Sequence, residues 1–403
     1  MGPSSLLKMS GAFGVVLSRL LKKSKEEDRR KIEQDMRGRK TAQTNFLCTL
    51  NVEDRIPARH PIREVKRLVG EVFARLDGHF EELYAEVGRG SIPPERVLGA
   101  KVLMALYTVR SERQFCERLQ YDLLFQWFLD INPDEPQACF DATVFAKNAP
   151  RLLAHDTATE FFQMIVTLAQ EHGWVSNEHF SVDGSLIQAW AGMKSFRPKD
   201  EPRDPGAGHG WTDFKGEKRS NDTHESLTDP SAKLARKGPG QEARLTFGLH
   251  AGMENRNGLC VALSLREVVG ESESKVGVEL VTALRKRGFV VKTAGGDKGY
   301  HTAGFVGGCR AVGVAPHTAE VQGRAVAGLD GRTTRTKGYQ ISLIVRRRIE
   351  EIFGWMKTIG GFRKSRYRGV ARTNLCALMV GAAYNLVRMA KLSLSPPPVT
   401  VGA

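Results

Sequence analysis

HFSVDGSLI, residues 179–187, has the texture of a strand that runs into a carboxylate, Asp183, followed at once by a glycine. Two further strand-like stretches follow, EARLTFGLHA from Glu242 and GLCVALSLREVVG from Gly258. Helical spacing over residues 275–287 then leads to FVVKTAGGD, an apolar run suited to a buried strand, which closes on Asp297. After another helical stretch over 303–312 comes the short VAPHTA, and then two long helices over 341–359 and 374–392. Strands first, then helix and strand in alternation, predict an α/β fold with a mixed sheet and flanking helices.

Upstream of this region the spacing is helical. Ile62, Val65, Val69, Val72, Phe73 and Leu76 fall on one face behind Pro61, which suits a first helical turn. A second helix follows Pro93 and Pro94, a third starts at Ser111, and Asp141 or Thr143 caps a fourth carrying Lys147 and Arg151. Short helices with polar joints and scattered basic residues fit either a helix-turn-helix-like DNA-binding domain or a plain helical bundle. Residues 192–241, rich in Pro, Gly, Lys and Arg, read as one flexible basic insertion. The expected organisation is a basic extension over 1–45, disordered or a lone helix, a helical domain over 46–172, an α/β domain over 173–392 and a disordered tail over 393–403.

Lysine and arginine number 60 against 45 aspartates and glutamates, a net charge of +15, so an anionic partner is expected: nucleic acid or an anionic membrane. The longest apolar run, around Leu375 to Val387, is too short to span a bilayer and contains Asn385. Six cysteines without a CxxC pair fit a reducing cytosol, and the cluster Lys22, Lys23, Lys25 follows the first apolar stretch, the reverse of a secretory signal. A cytoplasmic protein is expected, with no membrane partner.

Three carboxylates stand out. Asp183 and Asp297 close strands next to glycine, where open α/β sheets place ligands, although a strand-end Asp is more often a turn or helix cap. The third lies in VRRRIEEIFGWMK. At about 100° per residue, Arg346, Glu350 and Lys357 fall at roughly −40°, 0° and −20°, a single stripe beside the apolar stripe of Ile349, Phe353 and Met356. Glu351 faces away from that core stripe and pairs with Arg347, so Glu350 is the site candidate. Three such carboxylates would bind a hard divalent cation through oxygen, and a pair of Mg²⁺ ions suits in-line displacement at phosphorus. The acid-free run Arg363, Lys364, Arg366, Arg368, Arg372, interleaved with Phe362 and Tyr367, suits phosphate contacts with rings stacking on bases; a solvated charge run is the plain alternative. GGDKGYH has neither dinucleotide-fingerprint nor P-loop spacing, so no nucleotide cofactor is expected.

Taken together, IPARHPIREV, SIPPERVL, VRSERQF, FDATVFAKN, HFSVDGSLIQAWAGMKSFRPKD, FKGEKRSNDTHESLTDP, MENRNGL, GGDKGYH, LDGRTTR and RRRIEEIFGWMKTIGGFRKSRYRG carry a family likeness. From Met36 to Leu392 the sequence resembles the DDE transposases of bacterial insertion sequences, within the insertion sequence five group. The resemblance implies a ribonuclease-H-like catalytic domain whose Asp, Asp, Glu triad falls on Asp183, Asp297 and Glu350, with Arg346 and Lys357 as the basic residues that accompany the glutamate. At the position of a tyrosine found in related groups stands Leu343, with Tyr339 four residues earlier, and Gln188 stands where many relatives have Glu. The implied protein binds the ends of an insertion sequence and catalyses metal-dependent DNA cleavage and strand transfer. Its partners would be double-stranded DNA, as terminal inverted repeats and target, and a second copy in a homodimer. Mg²⁺, two ions, would be the cofactor, with Mn²⁺ as a substitute. DNA contacts are expected from Arg346, Lys357, Arg363, Lys364, Arg366, Arg368 and Lys298. Other readings are a catalytically inactive repressor derived from a transposase and a ribonuclease-H-like nuclease that cuts without joining. Because the likeness starts near Met36, residues 1–35 are expected to be dispensable.

Overall fold

A computed structural model describes residues 51–83, 91–132, 138–200, 219–238, 240–268 and 273–394. The N-terminal extension, Met36 and most of the predicted C-terminal tail lie outside the described residues.

Eight helices precede the sheet among the described residues: α1 (Val52–Arg55), α2 (Pro61–Arg75), α3 (Asp77–Glu81), α4 (Pro94–Leu106), α5 (Glu112–Leu119), α6 (Leu123–Phe128), α7 (Thr143–Ala154) and α8 (Thr157–Glu171). Their starts follow local chemistry. The His60 ring accepts from the Ile62 N–H ahead of Pro61 at the first turn of α2, the Ser111 hydroxyl accepts from Gln114 N–H at the start of α5, and the Asp122 carboxylate takes two N–H groups at the start of α6.

The sheet is built from β1 (His179–Gln188), β4 (Lys233–Ala235), β5 (Arg244–Glu254), β6 (Leu259–Glu267), β7 (Thr293–Gly296) and β8 (Ala315–Thr318). β5 lies antiparallel to β1 on one side and to β4 and then β6 on the other, while β7 pairs parallel with β1, and β8 with β7. Running from β6 through β5, β1 and β7 to β8, this is the mixed order expected of a ribonuclease-H-like sheet, with β1 at its centre. The parallel crossovers are made by α9 (Glu273–Lys286) and α10 (Ala303–Ala311).

Two sequence expectations change in detail. The predicted loop over 192–241 is ordered at both ends: β2 (Phe196–Pro198) pairs with β3 (His224–Ser226), and β4 joins the main sheet. Side chains hold these ends down. Asn221 both donates to and accepts from the backbone of Leu234, and the buried Asp229 carboxylate accepts from Gly369 N–H at 2.9 Å. The single helix expected over 341–359 is instead α12 (Lys337–Val345), a tight 3₁₀ turn at Arg346–Arg348, and α13 (Ile349–Lys357), after the short α11 (Gly331–Thr334). The turn lets Arg348 donate to the carbonyls of Asn255 and Arg256, pinning α13 to the turn after β5.

The last helix, α14 (Val370–Leu394), joins everything. It packs on β6, on α8, α4 and α2, and on α13, so helices and sheet share one continuous hydrophobic core. The approach is close enough that a methyl group on Gly381 would lie 2.7 Å from Leu263 Cδ2. β6 is an edge strand, and α14 seals its open backbone. Asn385 accepts from Cys260 N–H at 2.9 Å and donates to Cys260 C=O at 2.7 Å, and Asn374 accepts from Leu265 N–H at 2.9 Å. By length and composition alone α14 is apolar enough to cross a membrane, but its apolar window is 72% buried inside the protein.

Replacing Asn385 by leucine should leave a buried N–H and C=O unpaired and cost about 1–3 kcal/mol. Urea unfolding measures this; an unchanged midpoint would mean that the β6 edge does not depend on the side chain.

Candidate active site

Parallel pairing of β1 with β7 sets Ser181 opposite Gly295. Asp183 does not close its strand as expected: it lies within β1, which continues against β5 to Gln188, and the β1/β7 register carried on two residues puts it beside Asp297, just past the end of β7. Each carboxylate is fixed by a following glycine: Gly184 N–H donates to Asp183 Oδ1 at 2.8 Å, and Gly299 N–H to Asp297 Oδ1 at 2.7 Å. Asp297 thereby caps a 3₁₀ turn, Lys298–Tyr300, which buries Tyr300 completely. The Tyr300 ring needs glycine on two sides: a Cβ would lie 2.6 Å from it at Gly277 of α9 and 2.6 Å from its Cβ at Gly296 of β7. These gaps let the N-terminal end of α9 close over the strand ends.

The α13 side brings cations. Ile349, Ile352, Phe353 and Met356 are buried, as the apolar stripe predicts. Lys357 donates to the Ser185 hydroxyl and feels Asp183, while burial, Lys237 and Arg363 lower its pKa. Arg346, in the 3₁₀ turn, also acts electrostatically on Asp183, and its Nε is buried without a hydrogen-bond partner among the described residues. Glu350 stands between them in sequence, in the first turn of α13, and is exposed. Glu351 is exposed too, but it acts on Tyr384 of α14, away from the strand ends.

Residues 363–365 add a short parallel bridge to the end of β1. Gln188 N–H donates to Arg363 C=O and Ser365 N–H to Gln188 C=O. Arg363, Arg366, Arg368 and Arg372 are exposed. The rings between them are not available for base stacking: Phe362 is 3% exposed in the core, and the Tyr367 hydroxyl bonds Glu112 and Lys101 of the helical region. The exposed aromatic on this face is Trp190, 47% accessible, with Lys364 Nζ 5.6 Å from its ring centroid.

Glu273 is the carboxylate that the sequence reading passed over. It opens α9, and a Cβ on Gly184 would lie 2.9 Å from its Oε1, one on Gly299 3.8 Å from its Oε2. The Asp183 carboxyl is pushed up to about 6, chiefly by burial and then by the neighbouring Asp297 and Glu273, with Arg346 opposing. Glu273 remains open to solvent on one side, and partial desolvation and then Asp297 raise its pKa. The structure therefore gathers Asp183, Asp297 and Glu273 into mutual electrostatic reach. Among the described residues, no three acidic, histidine or cysteine side chains converge closely enough to hold a metal ion. The donor set is nonetheless all hard oxygen, with mutual repulsion that a divalent cation would relieve, and so fits such an ion in chemistry.

Two family profiles match the chain. One, described as Transposase domain (DUF772), covers residues 50–151, and the other, described as Transposase DDE domain, covers 211–386. The second takes in Glu273, Asp297 and Glu350 and begins after Asp183. The chain belongs to the DDE transposases. It is an enzyme of DNA cleavage and strand transfer, and its family implies dependence on a divalent metal. No curated protein matches it in sequence. Among solved structures, the piggyBac transposase synaptic complex with hairpin DNA aligns at 8% identity over 84% of this chain and 76% of that one, TM-score 0.39. A pre-cleavage Mos1 transpososome aligns at 9% identity over 85% and 98%, TM-score 0.18.

A raised folded-state pKa means that Asp183 favours the native protein below its ordinary value of 3.8 and loses that contribution as pH rises to about 6. In chelated protein this amounts to about 3 kcal/mol at most. Thermal melts between pH 4 and 6.5 should show the decline in wild type and a flatter profile in Asp183→Asn; identical profiles would show that Asp183 ionises without cost.

Proposed function

We propose that Asp183 and Asp297, joined by Glu350 from α13, form the catalytic triad of this transposase. The observation that carries the reading is the placement of Asp183 in β1 next to Asp297 at the end of the paired β7, with Arg346 and Lys357 of one helical segment both acting on Asp183. The three carboxylates would hold Mg²⁺, two ions, with Mn²⁺ as a substitute. When bound, the ions supply Lewis acidity toward the attacking and leaving oxygens. Arg346 and Lys357 stand where they would offset charge on the non-bridging phosphate oxygens of a bound strand. A water oxygen attacks phosphorus at the element end and frees a 3′-hydroxyl; that hydroxyl then attacks a target phosphodiester, one P–O bond forming as another breaks.

The DNA surface runs from Lys298 past Arg346 and Lys357 to Arg363, Lys364, Arg366 and Arg368, with Trp190 and Lys237 as additions that the structure suggests. The helical region, residues 46–172, recognises terminal inverted repeats, residues 173–392 carry the chemistry, and the protein acts as a homodimer on DNA in the bacterial cytoplasm.

The test is cleavage of a duplex carrying the element end, with Mg²⁺. Asp183→Asn, Asp297→Asn and Glu350→Gln should each lose activity by on the order of 1,000-fold while still binding the duplex, and Glu351→Gln should keep it. Full activity in Glu350→Gln would remove that residue from the triad. For the basic run, Arg366→Ala with Arg368→Ala should flatten the salt dependence of binding by about 1 per lost phosphate contact; an unchanged slope would make the run ordinary solvated surface.

A further inference from the structure

We propose that Glu273 is a further ligand-side carboxylate of the metal centre, facing the same cation as Asp183 and Asp297, with His250 as the residue that positions it. This rests on the reading of the two aspartates as metal-binding.

The placement is built by the fold. Glu273 opens α9, the crossover between β6 and β7, and α9 is drawn onto the strand ends because Gly277 accepts the Tyr300 ring. Its two carboxylate oxygens then reach toward the two turns that hold the aspartates, one at Gly184 and the other at Gly299. Those glycines are the ones whose N–H groups orient Asp183 and Asp297. A side chain at Gly184 would collide with Glu273, so the glycine after Asp183 is what admits a third carboxylate to this corner. Glu273 belongs to the crossover helix α9 and not to the flanking helix, so its place near the aspartates does not depend on α13.

An independent observation lies beneath it. His250 pairs with Gly184 across β5 and β1, is 8% exposed, and has a buried Nδ1 with no hydrogen-bond partner among the described residues. That Nδ1 lies 3.3 Å from the same Cβ point on Gly184 that Glu273 Oε1 approaches at 2.9 Å. An unpaired imidazole nitrogen in a buried place is costly unless something occupies its other side. Here it faces the same space beside Gly184 that Glu273 Oε1 faces, the place from which an outer partner would orient a metal-ligating group. Arg266 and Glu279 are the charged groups that act on His250.

The experiment is Mn²⁺ titration of the full-length protein without DNA, followed by calorimetry and by the paramagnetic resonance of the bound ion. Asp183→Asn and Asp297→Asn should abolish binding. Glu273→Gln should weaken it about 10-fold or more, Glu273→Asp should recover part of the loss, and His250→Phe should weaken it while altering the spectrum of the bound ion. Metal-free melting temperatures check folding, and Glu273→Gln should melt no lower than wild type because it removes a repelled carboxylate. Wild-type affinity in Glu273→Gln, with the aspartate variants inactive in binding, would overturn this proposal alone. Wild-type affinity in Asp183→Asn would overturn the underlying metal reading instead. An unaltered spectrum in His250→Phe would remove the histidine from its positioning role.

Discussion

The structure depends on the burial of α14 against the open edge of β6. A lone mixed sheet would expose one face and an unpaired edge, and the N-terminal helices would have no sheet to rest on. One helix of 25 residues answers both needs. Its aliphatic side chains fill the space between sheet and helices, and two asparagines satisfy backbone groups that a neighbouring strand would otherwise have to satisfy. Because α14 follows directly on the basic residues 363–368, the same packing anchors that segment beside the end of β1.

With the sheet so fixed, the electrostatics of the site follow from register. Two parallel strands bring two carboxylates close together, and their partial burial limits how far water screens their charges. Among the described residues, cations act on Asp183 from the 3₁₀ turn and α13. Burial, and then this imbalance, raise the Asp183 carboxyl above its ordinary value, as expected of a site built to receive positive charge.

Much of this was legible in the sequence. The aspartate that closes β7, the apolar stripe of Ile349, Phe353 and Met356, and the order of strands and helices come from periodicities that local geometry enforces, whereas Asp183 does not end its strand, because β1 continues against β5 as far as Gln188. What was hidden is non-local. Glu273 sits in a charged, unremarkable helix start, ESESK, and only the closeness of Gly277 to Tyr300 brings it to the strand ends. Phe362 and Tyr367 read as stacking rings because their neighbours are basic, but nothing in that pattern reveals the core pocket or the Glu112 partner that claims them. The break at Arg346–Arg348 was invisible because Arg348 is an ordinary helix former; its reward is two carbonyls 92 and 93 residues away in sequence.

The bond from Tyr367 to Glu112 and Lys101, with the shared core beneath it, bears on how such a protein would measure DNA. A core common to helices and sheet leaves no pivot between them. If the helices grip one stretch of duplex while the strand ends act on another, the number of base pairs between the two is set by the covalent architecture, as a calliper with a locked jaw sets a gap. Element ends whose grip-to-cut spacing differs by even a few base pairs would then be rejected by geometry, whatever their sequence.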